Sequence, residues 1–272
     1  MLLHDRLKRL ALRFLPERLL QNLKKIHYAR ALRRSPEEAE PDLRVVRHLV
    51  RPGARVVDLG ANVGVYTKFL ALLVGPFGKV FSIEPVPLTY ELLVSNIDTI
   101  GLINVQTFNV AVSARNGVVC MEVPRYATGG ENFYEARIVP GPGAPVRRVV
   151  HVPARTLDGL FGPQDRIEFV KCDVEGHELS CLQGATALLR WSRPAWLIEV
   201  SGNPDQAGSP AADVFTLLAR NGYDPFRFDG QTLTRRRPGE RSVNYFFLTP
   251  AHVARLPRNL LGGGSANVRR AA

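Results

Sequence analysis

Apolar and polar positions along this chain fall into two periods. Short β-branched runs such as 55–59 (RVVDL), 79–83 (KVFSI), 104–110 (NVQTFNV), 167–172 (IEFVKC) and 195–200 (AWLIEV) alternate with stretches whose apolar residues recur every three or four positions. The helical stretches are 65–74, 88–100, 179–189 and 211–221. Runs of this kind, all but 104–110 followed by a helix, predict an α/β fold around a buried, largely parallel sheet. Two further extended runs, 118–123 and 148–152, read as added strands, and 223–228 with 242–248 (SVNYFFL) reads as a closing antiparallel pair. Gly75-Pro76-Phe77-Gly78 and 202–210 are loops. Residues 124–146 combine little periodicity with much Gly and Pro, the form of a lid or binding loop, with Tyr126, Phe133 and Tyr134 as an aromatic face.

Ahead of the first strand the pattern changes. Leu3, Leu7, Leu10 and Phe14 form a helical stripe, with Arg6, Lys8, Arg9 and Arg13 largely off it, and Pro16 breaks or restarts the helix. Ser35-Pro36-Glu37-Glu38 has the form of a capping box, and a helix through Leu43, Val46 and Leu49 leads to Pro52-Gly53. The division expected is a basic helical extension (1–40), one α/β domain (41–250) and a flexible tail (251–272).

Charge sharpens this division. The net charge of +11 on 272 residues suggests nucleic acid until it is located. Residues 1–34 hold ten Lys or Arg against two acidic residues, leaving only +3 for the rest. No basic groove is therefore expected on the domain. The extension itself has two readings, docking on an anionic membrane or acidic partner, and packing as a flap on its own domain. Cys120, Cys172 and Cys181 have no metal-ligand spacing and cannot all pair, so no metal site and a reducing, cytoplasmic setting are expected. No apolar run approaches the eighteen residues of a membrane span, and the amino-terminal charges are not arranged as in a signal peptide.

The chemistry concentrates at strand ends. Asp58, Gly60, Asn62 and Gly64 occupy a strand–turn–helix whose order, acid-x-Gly-x-Asn-x-Gly, matches neither the dinucleotide fingerprint nor a phosphate loop. A carboxylate there repels a pyrophosphate and suits a cationic ligand such as S-adenosylmethionine. Glu84, ending the next strand, is placed to accept the two hydroxyls of a ribose. Asn109 and Ala111 end the third strand, where an adenine ring would lie. The fourth central run ends in Asp173-Val174-Glu175-Gly176-His177-Glu178, a gathering of carboxylates that calls for a ligand or an internal pairing.

Taken together, VVDLGANVGVYT, SIEP, TLD, FVKCDVEGHE with Gly184-Ala185, IEV and NYFF resemble the FkbM family of S-adenosylmethionine-dependent methyltransferases over about residues 42–250. The resemblance implies a Rossmann-like class I methyltransferase fold, a seven-stranded mostly parallel sheet with one reversed strand and helices on both faces. It implies O-methylation of a sugar, glycan or polyketide-like metabolite. By motif position, Asp58, Gly60, Asn62 and Gly64 would line the methionine end of the cofactor, Glu84 would hold the ribose, and Asn109 to Ala111 would edge the adenine. Asp173, Glu175 and His177 would face the substrate, with Asp173 also beside the cofactor. His177 is the first candidate for the base, because its ordinary pKa of about 6.5 suits neutral pH, and Asp173 the second. Alternatives are an RNA hydroxyl methyltransferase and a non-catalytic adaptor docking through 1–34. An amino-directed nucleic-acid enzyme is disfavoured, since DVEG stands where [N/D]-P-P-[Y/F] would.

Overall fold

The computed structural model describes residues 17–123, 137–139 and 149–262. Helix α1 (Glu17–Arg34) and α2 (Leu43–Leu49) precede the core, which runs β1 (Arg55–Leu59), α3 (Val65–Val74), β2 (Lys79–Ile83), α4 (Pro87–Ile100) and β3 (Val105–Phe108). After β4 (Ala111–Val112), β5 (Gly117–Glu122), β6 (Arg137–Val139) and β7 (Val149–Arg155) come α5 (Leu157–Leu160), β8 (Ile167–Cys172), α6 (Glu178–Gln183), α7 (Thr186–Trp191) and β9 (Ala195–Glu199). The chain closes with α8 (Pro210–Arg220), β10 (Asp224–Phe228), β11 (Leu233–Arg235), β12 (Asn244–Leu248) and α9 (Pro250–Arg255).

The main sheet has the order β11-β10-β12-β9-β8-β1-β2-β3. Strands β3, β2, β1, β8 and β9 are parallel, and β12 enters antiparallel between β9 and β10. Its eight strands exceed the expected seven because residues 233–235, a run of only three, form an edge hairpin with β10. Both β12 and β11 run in reverse, not β12 alone.

The sheet is buried on both faces, which is why its strands read as continuous apolar runs. Val57, Leu59, Val170, Trp196, Ile198 and Phe247 pack with α6, α7 and α8 on one face. Val56, Val80, Phe169, Leu197, Phe246 and Leu248 pack with α2, α3 and α9 on the other. A second sheet, β4-β7-β5-β6, begins after β3 in the chain and takes in the two added strands. Of the candidate lid 124–146, only Arg137–Val139 is described, as β6 paired to β5; Tyr126, Phe133 and Tyr134 lie outside the described residues.

Three local expectations change. The Ser35 capping box does not form: Glu37–Ala39 is a single 3-10 turn without a side-chain cap, and the helix starts afresh at Leu43. The 179–189 helix is two helices, broken at Gly184, which passes so close to the Ser113 carbonyl that a Cβ would stand 2.2 Å from it. The fold also continues past residue 250. Thr249 caps α9, whose Val253 is buried, and Leu261 bridges to Leu233. Residues 263–272 lie outside the described part.

Helix α1 packs against α4. Lys68 Nζ donates to the Leu32 and Ser35 carbonyls at 2.9 Å each, filling acceptors that the helix end leaves open. Arg33 donates to the Thr99 carbonyl at 3.0 Å. Residues 1–16 of the basic extension lie outside the described residues. Among the described residues no helix is long and apolar enough to cross a membrane.

Candidate active site

In an open parallel sheet, ligands bind beyond the carboxyl ends of the strands. A cavity of about 290 Å³ lies there, lined from β2 by Glu84, from β1 by Asp58, Gly60 and Asn62, from β8 by Lys171, Asp173 and Glu175, from β9 by Glu199 and from β12 by Asn244. Tyr66 of α3 and Glu40, ahead of α2, complete that end, while Val86, Ala111, Met121 and Ile138 form an apolar wall.

The turn after β1 requires its glycine. Gly60 has φ +74°, and a Cβ added to it would stand 1.7 Å from the Asp173 carbonyl oxygen. Only a residue without a side chain lets the β1 and β8 turns meet. Asn62 also sits at positive φ (49°), which Asn tolerates locally. Its N–H donates to Glu84 Oε2 at 3.0 Å, and the Val86 N–H donates to Oε1 at 2.9 Å. Glu84 therefore ties the two turns together and keeps two lone-pair positions for a ligand. Burial pushes its pKa up to about 7, against the lowering effect of those two N–H groups.

Asp58 is fully buried. Its Oδ2 accepts from Thr67 Oγ1 at 2.7 Å, and Thr67 in turn meets Ser82 Oγ at 2.8 Å. Its Oδ1 has no partner among the described residues. Burial raises the Asp58 pKa, and the Lys171 ammonium opposes the rise. Lys171 donates to Asp173 Oδ2 at 2.7 Å and lies 4.9 Å from the centre of the Tyr66 ring. Burial alone would lower the Lys171 pKa; the Asp173 and Asp58 carboxylates outweigh it, and the group stays a cation.

The sequence candidates divide accordingly. Asp58, Gly60, Asn62, Glu84, Ala111, Asp173 and Glu175 meet in the cavity. Gly64 stands behind the turn at φ +97°, where a Cβ would meet Leu93 at 3.0 Å. Asn109 is not among the lining residues: its amide donates to the Glu84 and Pro85 carbonyls at 2.8 and 3.0 Å, anchoring the strand end below the site. His177 is likewise outside the lining, hydrogen-bonded to Ser113 Oγ at 3.0 Å with its pKa lowered by burial. Glu178 turns back to accept from the Gly176 N–H at 2.8 Å. Glu175 occupies a left-handed conformation (φ 52°), an uncommon one for a side-chain-bearing residue and the kind that collects at ligand sites.

Lys171, Tyr66, Glu40, Glu199 and Asn244 were not assigned roles from sequence. For Lys171 a signal existed: two positions before Asp173 on one strand, it must share Asp173's side of the sheet.

The methyltransferase FkbM domain family matches residues 58–225, more than half of the chain. This chain belongs to the FkbM methyltransferase family. No curated protein matches it. Among solved structures it is similar to a SAM-dependent methyltransferase from Aquifex aeolicus, at 14% identity and TM-score 0.42 over 80% of this chain and 96% of that one. It is also similar to methyltransferase FkbM from Methylobacillus flagellatus KT, at 16% identity and TM-score 0.44 over 83% of this chain and 59% of that one. A SAM-dependent O-methyltransferase from Thermotoga maritima matches at 13% and TM-score 0.42 over 77% and 63%. The chain thus spans less than two thirds of the length of the last two.

The resemblance to this family implies S-adenosylmethionine as the cofactor, and the residues present fit it. The unpartnered Asp58 Oδ1 suits a cationic group, the open lone pairs of Glu84 suit ribose hydroxyls, and the wall of Val86 and Ala111 suits an aromatic base.

Proposed function

We propose that this methyltransferase is an O-methyltransferase acting on a hydroxyl of a sugar, glycan or polyketide-like metabolite. The observation that carries the reading is the Lys171–Asp173 pair that lines the cavity with Asp58. S-adenosylmethionine supplies an electrophilic methyl group when bound. Asp58 and Glu84 would hold it over β1 and β2. Asp173, with its side chain 29% exposed and paired among the described residues on one oxygen only, has an oxygen left to accept the acceptor's hydroxyl proton. Lys171 balances the charge of Asp173 and fixes its rotamer. His177, engaged with Ser113 outside the lining, is the weaker candidate for the base.

Alignment dominates this chemistry. Holding two reactants in line is worth on the order of 10⁵–10⁸ M in effective concentration, against roughly 10²–10⁴-fold from a placed base. A hydroxyl acceptor on RNA is disfavoured because one cation, Lys171, stands among six carboxylates lining the cavity.

The test is isothermal calorimetry with S-adenosylmethionine and S-adenosylhomocysteine, followed by radiolabelled methyl transfer to hydroxylated sugars and metabolites. One-to-one micromolar binding and a labelled ether product are expected, with the rate falling at least a hundredfold in Asp173→Asn. A folded sample that binds neither compound would favour the adaptor reading.

A further inference from the structure

The cavity has two ends, set by strand order. Glu84, just past β2, and Glu199 on β9 are separated by β1 and β8, so the strands that carry them lie three strand spacings apart, about 14 Å. Asp58 and Asp173 lie between them. The β2 side carries the features that suit the cofactor. The β9–β12 side is lined by Glu40, Tyr66, Lys171, Asp173, Glu199 and Asn244.

This second end is acidic and short of countercharge. Its one cation, Lys171, is already committed to Asp173 at 2.7 Å. Glu199 and Asn244 are register partners across β9 and β12, and Asn244 Nδ2 donates to Asp42 Oδ2 at 2.7 Å, bringing a further carboxylate up behind it. Burial raises the pKa of Glu40, Asp42 and Glu199 alike, and neighbouring carboxylates add to the rise at Glu40 and Glu199. The Tyr66 hydroxyl, on a residue only 8% exposed, lines the same end with no hydrogen bond of normal geometry among the described residues, Glu40 being the carboxyl that faces it. Gathering carboxylates in this way is costly, and a ligand carrying positive charge relieves the cost. Glu40 and Asn244 also lie outside residues 58–225, so flanking segments of this chain, not the family-matched part, complete this end.

We infer that the Glu40–Glu199–Asn244 end of the cavity is an acceptor subsite for an amine-bearing, positively charged polyhydroxy compound, with Glu40 and Glu199 as the residues that select it. The inference rests on the methyl-transfer reading above and adds the charge of the acceptor. An ammonium group takes the place of a missing counter-ion between Glu40 and Glu199, the Tyr66 hydroxyl supplies a neutral hydrogen bond, and the neighbouring hydroxyl is left facing Asp173. Phosphorylated, sulfated and uronic acceptors are repelled.

The experiment uses the full chain saturated with S-adenosylhomocysteine and titrated with three matched hexosides: methyl glucosaminide, methyl N-acetylglucosaminide and methyl glucuronide. The amine is expected to bind at least tenfold more tightly than the neutral amide and the carboxylate. In Glu40→Gln and Glu199→Gln, each a near-isosteric change, that preference is expected to shrink to threefold or less. S-adenosylhomocysteine binding, read in the same samples, reports whether each variant is folded and whether the cofactor reading holds. Equal or inverted preference by a protein that binds S-adenosylhomocysteine overturns the inference alone, as does a preference that survives both substitutions, or no hexoside binding at all. Failure to bind S-adenosylhomocysteine overturns the methyl-transfer reading and the inference with it.

Discussion

At the scale of single residues, the site depends on backbone approach as much as on charge. Gly60→Ala adds a Cβ at 1.7 Å from the Asp173 carbonyl and forces a side chain into positive φ. Strain of each kind costs about 1–3 kcal/mol. A urea midpoint lowered accordingly, with loss of cofactor binding, is expected by fluorescence and calorimetry. Glu84 makes a pH prediction whose sign follows from its raised pKa. The folded form holds the Glu84 proton more tightly than the unfolded chain, so its contribution to stability is fully present below about 4.5 and lost as pH rises through about 7. Glu84→Gln carries no such titration. The stability of the variant relative to the parent, measured by urea melts of the ligand-free protein, should therefore improve between pH 5 and pH 8; a flat difference would remove Glu84 as a titrating group in this window. Gly60 and Glu84 were both legible in the sequence, because a glycine turn and a strand-end acid are local signals. Asn109 and His177 were placed at the right strand ends but in the wrong surroundings. Their partners, the Glu84 and Pro85 carbonyls and Ser113, are distant in the chain, and no periodicity reveals them.

At the scale of elements, the strand and helix pattern followed from burial on both faces of the sheet. What escaped it was capping across elements. Helix α7 begins after Ala185, which has no side-chain acceptor, and its first free N–H groups are served from elsewhere: Asp158 accepts from Ala187 N at 2.8 Å and from Leu188 N at 2.9 Å. The Thr-Leu-Asp run is thus a remote N-cap, with Thr156 capping its own short helix at 3.0 Å. This accounts for a break at Gly184 that a continuous apolar spacing over 179–189 conceals. Asp158→Ala is expected to destabilise the protein by about 0.5–2 kcal/mol while leaving the affinity for S-adenosylhomocysteine within twofold, since Asp158 is absent from the cavity lining. Chemical denaturation and calorimetry on the same samples check both halves.

At the scale of the whole molecule, the family-matched part and the folding unit are not the same length of chain. The match begins within β1 and ends within β10, whereas the sheet needs β12 between β9 and β10. Without it β10 loses its only link to the sheet, β9 becomes an edge, and Phe246, Leu248 and Phe247 vanish from both apolar faces. The amino-terminal flank matters on the same grounds: α2 buries Leu43, Val45, Val46 and Leu49 against one face of the sheet. Removing a fully buried Leu, Val or Phe forfeits roughly 1.5–3 kcal/mol each, and seven such residues, roughly 10–21 kcal/mol together, are comparable to or larger than the whole stability of a typical domain, about 5–15 kcal/mol. A fragment of residues 58–225 is therefore expected to show no cooperative urea transition, while the full chain shows one. The same flanks supply Glu40 and Asn244 to the cavity, which sequence reading could not assemble because 204 positions separate them and only the insertion of β12 beside β9 brings them to one end of the sheet. If the fragment unfolded with a cooperative transition like that of the full chain, β12 and α2 would be additions to a self-sufficient domain, and the packing of the two faces would have to be re-apportioned to the strands from β1 to β9.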